Sequence, residues 1–228
     1  MDNSNNMDNA SMPCITFIIP TIGRSTLHNA LESIYNQTIQ TWKAIIIFDG
    51  VKSTLDHNDN RIQIIEIPKS GMYFNSAGLV RNEGMKYATT QWIAFLDDDD
   101  TIASDYLSKF YEDLDNIGVD QLDVYIYRMA MDIGSNKIRI VPKAGSDNFY
   151  ICDVGISFII KKEIFDKNII FTPDGAEDYL YLNKIRTCGY KIWISKYVSY
   201  FVRMNPFEVK PIQYLNYCFI YLKNLNGF

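Results

Sequence analysis

Short apolar runs alternate with amphipathic stretches along the first 130 residues. Ile15 to Ile19 is apolar and ends at Pro20, and Leu27 to Tyr35 repeats at Leu27, Ala30, Leu31 and Ile34, the spacing of a helix face. Lys43 to Phe48 reads as a second buried strand stopped by Asp49-Gly50, and Arg61 to Ile67 as a third closed by Pro68. Asn75 to Ala88 predicts a helix whose exposed half begins at Arg81, and Gln91 to Leu96 a fourth strand. Ala103 to Leu114 predicts a further helix and Leu122 to Met129 a strand. This alternation predicts a parallel, doubly wound sheet with right-handed crossovers. Beyond Met131 the pattern loosens. A hairpin turn at Asp132 to Lys137 is followed by a strand at Ile156 to Ile160 and a helix at Glu177 to Ile185. Two strands then follow, Tyr190 to Ile194 and Tyr197 to Arg203. The apolar, tyrosine-rich stretch Ile212 to Leu225 reads as a docking helix or an oligomer contact. No repeat divides the chain.

Composition narrows the classes. The chain has 228 residues, 47% of them hydrophobic and 14% aromatic, enough for one sizeable core. A net charge of −5 and a pI near 5.1 argue against a nucleic-acid-binding face. Four scattered cysteines without a C-x-x-C pair, and two histidines, argue against structural zinc and for reduced thiols in a cytoplasmic setting. No run of about 18 apolar residues predicts a membrane span. Residues 1–12, rich in Asn, Asp and Ser, read as a disordered leader with no basic n-region.

The chemistry concentrates at Asp97 to Asp100, where a strand ends in four consecutive carboxylates. Two carboxylates about 6 Å apart at an effective dielectric of about 20 repel by roughly 3 kcal/mol. Such a cluster stays solvated, raises some of its pKa values, or takes up a cation. Oxygen ligands suit a hard ion, Mn²⁺ or Mg²⁺. The other reading is an acidic turn capping the next helix. Strand ends in open α/β sheets face a common crevice. Three polar clusters occupy such ends: Pro20-Thr21-Ile22-Gly23-Arg24, Asp49-Gly50 and Asp97 to Asp100. Arg81 could turn a guanidinium toward a diphosphate or stay an exposed structural arginine.

Four segments, in order, resemble the family 2 glycosyltransferases of the GT-A fold. They are ITFIIPTIGRSTLHNALESIYNQT, WKAIIIFDG, SAGLVRNEGMKYATTQWIAFLDDDD and GAEDYLYLNKIRTCGYKIWIS. The resemblance implies a Rossmann-like, doubly wound mixed sheet with helices on both faces and an acceptor-side segment in the C-terminal half. The domain would span residues 13–206, with residues 207–228 as the docking helix or oligomer contact. The implied activity is metal-dependent, inverting transfer of a single sugar from a nucleotide-diphospho-sugar, UDP favoured, to a glycan, protein or lipid-linked acceptor.

By the same resemblance Pro20, Thr21 and Arg24 would line the nucleotide pocket, and Asp49 would bond the base or ribose. Arg81 and Asp98 would approach the nucleotide. Asp97 and Asp99 would form the D-x-D metal pair, Asp99 being the direct ligand. Asp178 would be the general base, with Glu177 as neighbour or substitute. Two positions depart from the family pattern. Phe48 stands where many members carry another Asp, and Asn205 replaces a histidine that helps hold metal or diphosphate. An amide can still donate to phosphate. Competing readings are a nucleotide-sugar-binding protein without transfer, and a sugar-phosphate nucleotidyltransferase, for which PTIGRS is poor in glycine. A calcium loop of the EF-hand type is excluded, because the four registers put Ser108, Lys109, Phe110 or Tyr111 where a Glu is needed.

Overall fold

The computed structural model describes residues 15–56, 58–71, 77–133, 137–173 and 176–203. The leader, the segment after Arg203 and Asn205 lie outside the described residues.

Its first half is a parallel sheet. Strands β1 (Ile15–Thr21), β2 (Trp42–Asp49), β3 (Ile62–Ile67) and β4 (Trp92–Phe95) stand in the order β3-β2-β1-β4. Helices α1 (Leu27–Tyr35) and α2 (Ala77–Met85) lie in the crossovers. α1 buries Leu27, Ala30, Leu31 and Ile34, the positions its periodicity marks. β1 is buried along its whole length because it is the inner strand between β2 and β4. The chain runs outward from β1 through β2 to β3, then returns to β4 on the other side of β1. The crevice of an open α/β sheet forms at such a reversal, beyond the carboxyl ends of the strands.

Pro20 does not end β1, contrary to the sequence expectation; it pairs with Ile47 inside the strand. Leu96 donates its N–H to the Ile18 carbonyl, so Pro20, two residues on, presents its nitrogen to the same side. The β1–β4 pairing has already stopped at Ile18–Phe95, and no ladder bond is lost there.

The second half makes the sheet mixed, as the resemblance implies, while the parallel pattern read from the alternation holds for the first half. After β5 (Thr101–Ile102) and α3 (Tyr106–Ile117) come β6 (Val124–Asp132), β7 (Ile138–Val141) and β8 (Phe158–Lys161). α4 (Lys162–Asp166), α5 (Glu177–Thr187) and β9 (Ile192–Val202) complete it. β8 runs antiparallel to both β4 and β6 and so joins the two halves into one sheet. β6 and β7 form the hairpin expected around Asp132 to Lys137. The two strands expected at Tyr190 to Ile194 and Tyr197 to Arg203 are one strand, β9, with a bulge. Ile194 pairs with Ile126 and Val198 with Arg128, so three residues of β9 face one of β6. Ser195 stabilises the irregularity, its Oγ accepting the Tyr197 N–H and hydrogen-bonded at 2.8 Å to the Tyr125 hydroxyl, whose own proton goes to Asp113. β5 and α4 escape sequence reading because each is too short to show a period.

α2 packs on β1 and β2 through Gly84. A Cβ there would sit 2.5 Å from Ile47 Cδ1 and 2.8 Å from Ile18 Cγ2, both side chains fully buried. Gly84→Ala is therefore expected to destabilise the protein by about 1–3 kcal/mol through overpacking, although alanine favours the helix. Urea denaturation checks this, and a stabilised variant would show that α2 is free to move outward.

Candidate active site

Register brings the predicted clusters together. Ile18 is level with Phe95 and Thr21 with Phe48, so Thr21, Asp49 and the acids after β4 end at one height. They open onto a cleft of about 520 Å³, within the range of small-molecule sites. Pro20, Thr21, Arg24, Asp49, Arg81, Asp97, Asp98, Asp99, Glu177 and Asp178 all line it. Every described residue singled out from the sequence as a site candidate is thus in one place.

Their roles separate on inspection. Asp98 is buried and turned toward β1, accepting from the Thr21 hydroxyl at 2.6 Å and from Arg24 Nη1 at 2.7 Å. Thr21 Oγ1 in turn accepts from the Gly23 N–H, so Asp98 ties the first loop to the acidic loop. Asp97, Asp99 and Asp100 instead bring carboxylate oxygens within 4.8 Å of one another. Asp100 belongs to the acidic run picked out in the sequence but not to the expected D-x-D pair. It is buried, and desolvation, reinforced by the charge of Asp97, pushes its carboxyl up to about 8 despite bonds from Arg203 and Tyr200. Tyr200 reaches this loop from β9 and accepts the Asp97 N–H at 3.2 Å. Arg203, also unforeseen as a site residue, donates its N–H to Asp100 at 2.8 Å and its Nε to Asp99 at 3.2 Å.

Asp49 is buried at the end of β2 with both oxygens engaged. Lys69 Nζ meets one at 2.8 Å, while the Ser70 N–H and hydroxyl meet the other at 2.5 and 2.9 Å. Burial opposes its ionisation, but Lys69 and Ser70 outweigh this and hold its carboxyl below the usual range. The lysine can lie there because Gly50, at φ 74°, has no side chain; a Cβ would be 2.8 Å from that of Lys69.

Arg81 corrects the sequence expectation most sharply. It is 2% exposed, not on the open half of α2. Its guanidinium bonds Glu177 Oε1 at 2.6 Å and Asp97 Oδ1 at 2.5 Å, and stands 3.7 Å from Asp178. Burial disfavours its charge, yet the three acids overcome that and raise its pKa. The same helix face grips the acceptor-side segment at two more points. The Gly78 N–H donates to Glu177 Oε2 at 3.0 Å, in space that a Cβ would fill at 2.6 Å. Asn82 exchanges two 2.9 Å bonds with the backbone of Phe171. Glu177 thus has both oxygens committed to α2. Asp178, next along α5, finds no hydrogen-bond partner for its buried Oδ1 among the described residues, and burial, with Asp97 and Glu177, raises its carboxyl to about 7 against the pull of Arg81.

With this geometry in view, comparison places the chain. Residues 16–151, more than half of it, match the model of glycosyl transferase family 2. The chain therefore belongs to that family, and its fold is the GT-A fold. A relative is the poly(ribitol-phosphate) beta-N-acetylglucosaminyltransferase TarP of Staphylococcus aureus strain N315. It is 29% identical over 225 residues, covering 86% of this chain and 64% of TarP. An uncharacterized glycosyltransferase of Haemophilus influenzae is 26% identical over 213 residues, covering 87% and 82%. The crystal structure of S. aureus TarS 1–349 in complex with UDP-GlcNAc superposes with a TM-score of 0.64 at 20% identity, covering 82% of this chain and 58% of that one. The chain thus spans less than two thirds of TarP and of that TarS structure. Family membership sets aside the nucleotidyltransferase reading. Among the described residues no helix is long and apolar enough to cross a membrane.

The division of labour between the paired acids is testable by stability. Glu177→Ala strips Arg81 of a buried partner and should cost about 3 kcal/mol or more. Asp178→Asn should cost less than about 1 kcal/mol, since it removes a carboxylate that burial already disfavours. Denaturant midpoints compare them, and equal losses would undo the assignment of Glu177 as the structural acid.

Proposed function

We propose that this chain acts as a divalent-metal-dependent, inverting glycosyltransferase that moves one sugar from a UDP-sugar to an acceptor hydroxyl. The observation that carries the reading is the presence, in one cleft, of the acidic loop after β4 and of Asp178 from the other half of the fold. The UDP-GlcNAc complex of TarS supports a UDP-sugar donor.

The acidic loop fits a hard divalent ion. Its donors are carboxylate oxygens within 4.8 Å of one another, and Asp100 is pushed toward protonation by burial, reinforced by the charge of Asp97. Asp97 and Asp99 would hold Mn²⁺ or Mg²⁺, with Asp100 behind them. When bound, such an ion supplies Lewis-acid stabilisation of the charge developing on the diphosphate.

The chain's own residues do the rest. Arg24, half exposed at the cleft beside Asp98 and Asp99, and Arg203 offer guanidinium donors to the leaving diphosphate. Asp49, kept ionised by Lys69 and Ser70, offers an acceptor to the base or ribose. Asp178 takes the proton of the acceptor hydroxyl as its oxygen attacks the anomeric carbon. The new C–O bond forms while the bond to the diphosphate oxygen breaks, and the electron pair leaves with UDP. A carboxylate near pKa 7 is a stronger base than an ordinary aspartate and is still ionised in part at neutral pH. Arg81, fixed between Glu177 and Asp97, keeps base and acidic loop in register.

Asp99→Ala should abolish Mn²⁺-dependent UDP binding in calorimetry while leaving the circular dichroism spectrum intact; wild-type turnover in that variant would refute the metal assignment. Asp178→Asn should keep UDP-sugar affinity within about twofold and lose transfer by about 10²–10⁴-fold. In the wild type, kcat/KM should rise with pH through about 7, because the base works only when deprotonated. Full transfer by the asparagine variant, or a profile flat from pH 5.5 to 8.5, would place the base elsewhere.

A further inference from the structure

One wall of the cleft continues onto a loop that no part of the donor chemistry uses. Cys152 and Val154 line the cleft together with Asp178 and Tyr179, and a Cβ on the next residue, Gly155, would lie 3.9 Å from Asp178 Oδ2. Immediately before them Tyr150 is 59% exposed and Ile151 58% exposed, two large apolar side chains in succession. Single exposed apolar residues are ordinary on a protein surface. This pair differs in how firmly it is held.

Three arginines from three elements fix the loop. Arg128 of β6, itself buried, donates to the carbonyls of Pro142, Lys143 and Ser146 at 2.7, 2.5 and 3.1 Å. Arg139 of β7 donates to the carbonyl of Cys152 at 3.0 Å. Arg186 of α5 donates to Asn148 Oδ1 at 2.9 Å and lies 4.6 Å over the ring of Phe149. Asp153 closes the turn, accepting the Tyr150 N–H at 2.5 Å and returning its own N–H to the Tyr150 carbonyl at 3.2 Å. Cys152 then takes φ 68°, which turns the chain back into the cleft. So much hydrogen bonding spent on presenting apolar side chains to water marks a preformed contact surface.

The geometry points to an acceptor subsite in which Tyr150 and Ile151 carry a saccharide ring, placing its hydroxyl toward Asp178. This inference rests on the transferase reading above and adds the class of acceptor. The loop adjoins the Asp178 end of the cleft, where the Phe149 ring packs 6.2 Å from that of Tyr179 and a Cβ on Gly155 would lie 3.9 Å from Asp178 Oδ2, whereas Asp98 is tied to Thr21 and Arg24 of the first loop. A sugar ring has an apolar C–H face that suits an aromatic ring and polar edges that suit Asn148 and Asp153 beside it. A lipid chain would meet only two apolar residues flanked by amides and carboxylates.

The test uses the full chain with Mn²⁺, a panel of UDP-sugars headed by UDP-N-acetylglucosamine, and methyl glycosides as acceptors. Tyr150→Ala combined with Ile151→Ser should raise acceptor KM at least tenfold. UDP-sugar affinity and hydrolysis by water should stay within twofold, and the melting temperature should stay unchanged. Tyr150→Phe, which keeps the ring, should restore KM when Ile151 is intact. An unchanged KM overturns the subsite, as does a wild type that hydrolyses donor yet neither binds nor glycosylates any methyl glycoside. Loss in the double variant of binding to phosphatidylglycerol vesicles, or of dimers in sedimentation equilibrium, would reassign the surface to a membrane or a second copy. Absence of any donor binding or hydrolysis in the wild type would overturn the transferase reading itself.

Discussion

A single buried guanidinium organises this molecule. Arg81 stands among Asp97, Glu177 and Asp178, acids contributed by two segments about eighty positions apart in sequence. Three carboxylates at such separations repel strongly once water is excluded. One fixed positive charge makes their convergence tolerable without neutralising it, so the cleft remains acidic. Burial, with that residual charge, raises the Asp178 carboxyl. The helix carrying Arg81 is held on the sheet by a glycine contact and grips the acceptor-side segment through Gly78 and Asn82. Mechanical and electrostatic roles therefore meet on one face of α2.

The two halves of the sheet divide the work. The parallel strands β1, β2 and β4 end together and supply one wall of the cleft, a consequence of register and of the reversal in strand order. The mixed half brings in β9, whose Tyr200 and Arg203 brace the acidic loop, and α5, whose first turn delivers Glu177 and Asp178. β8, antiparallel to a strand on each side, makes the halves one body. The bulge in β9 lets the strand follow β6 along its length and still reach the acids at its far end.

Much of the architecture is legible in the chain because it follows periods. α1 shows its buried face in Leu27, Ala30, Leu31 and Ile34, and β2 its double burial in an unbroken isoleucine run. The acids at strand ends stand out because charge follows apolar residues abruptly. Other contributions leave no local trace. Lys69 and Ser70 look like ordinary loop residues until β3 sets them against Asp49. Asp100 is one more aspartate in a row until β9 buries it, and Gly78 is an unremarkable helical glycine until Glu177 fills its missing side chain.

The amino-acid order by itself determined the strand–helix alternation, the carboxylates at the strand ends and the family to which they belong, because each is written in neighbouring residues. Only the tertiary structure decided which acid binds what. Glu177 and Asp178 are adjacent and chemically alike, yet one has both oxygens held by α2 and the other faces the cleft. Asp98 and Asp99 are separated just as little, and one links two loops while the other joins the acidic cluster. Hydrogen-bond partners and desolvation set those differences, and both come from segments remote in sequence.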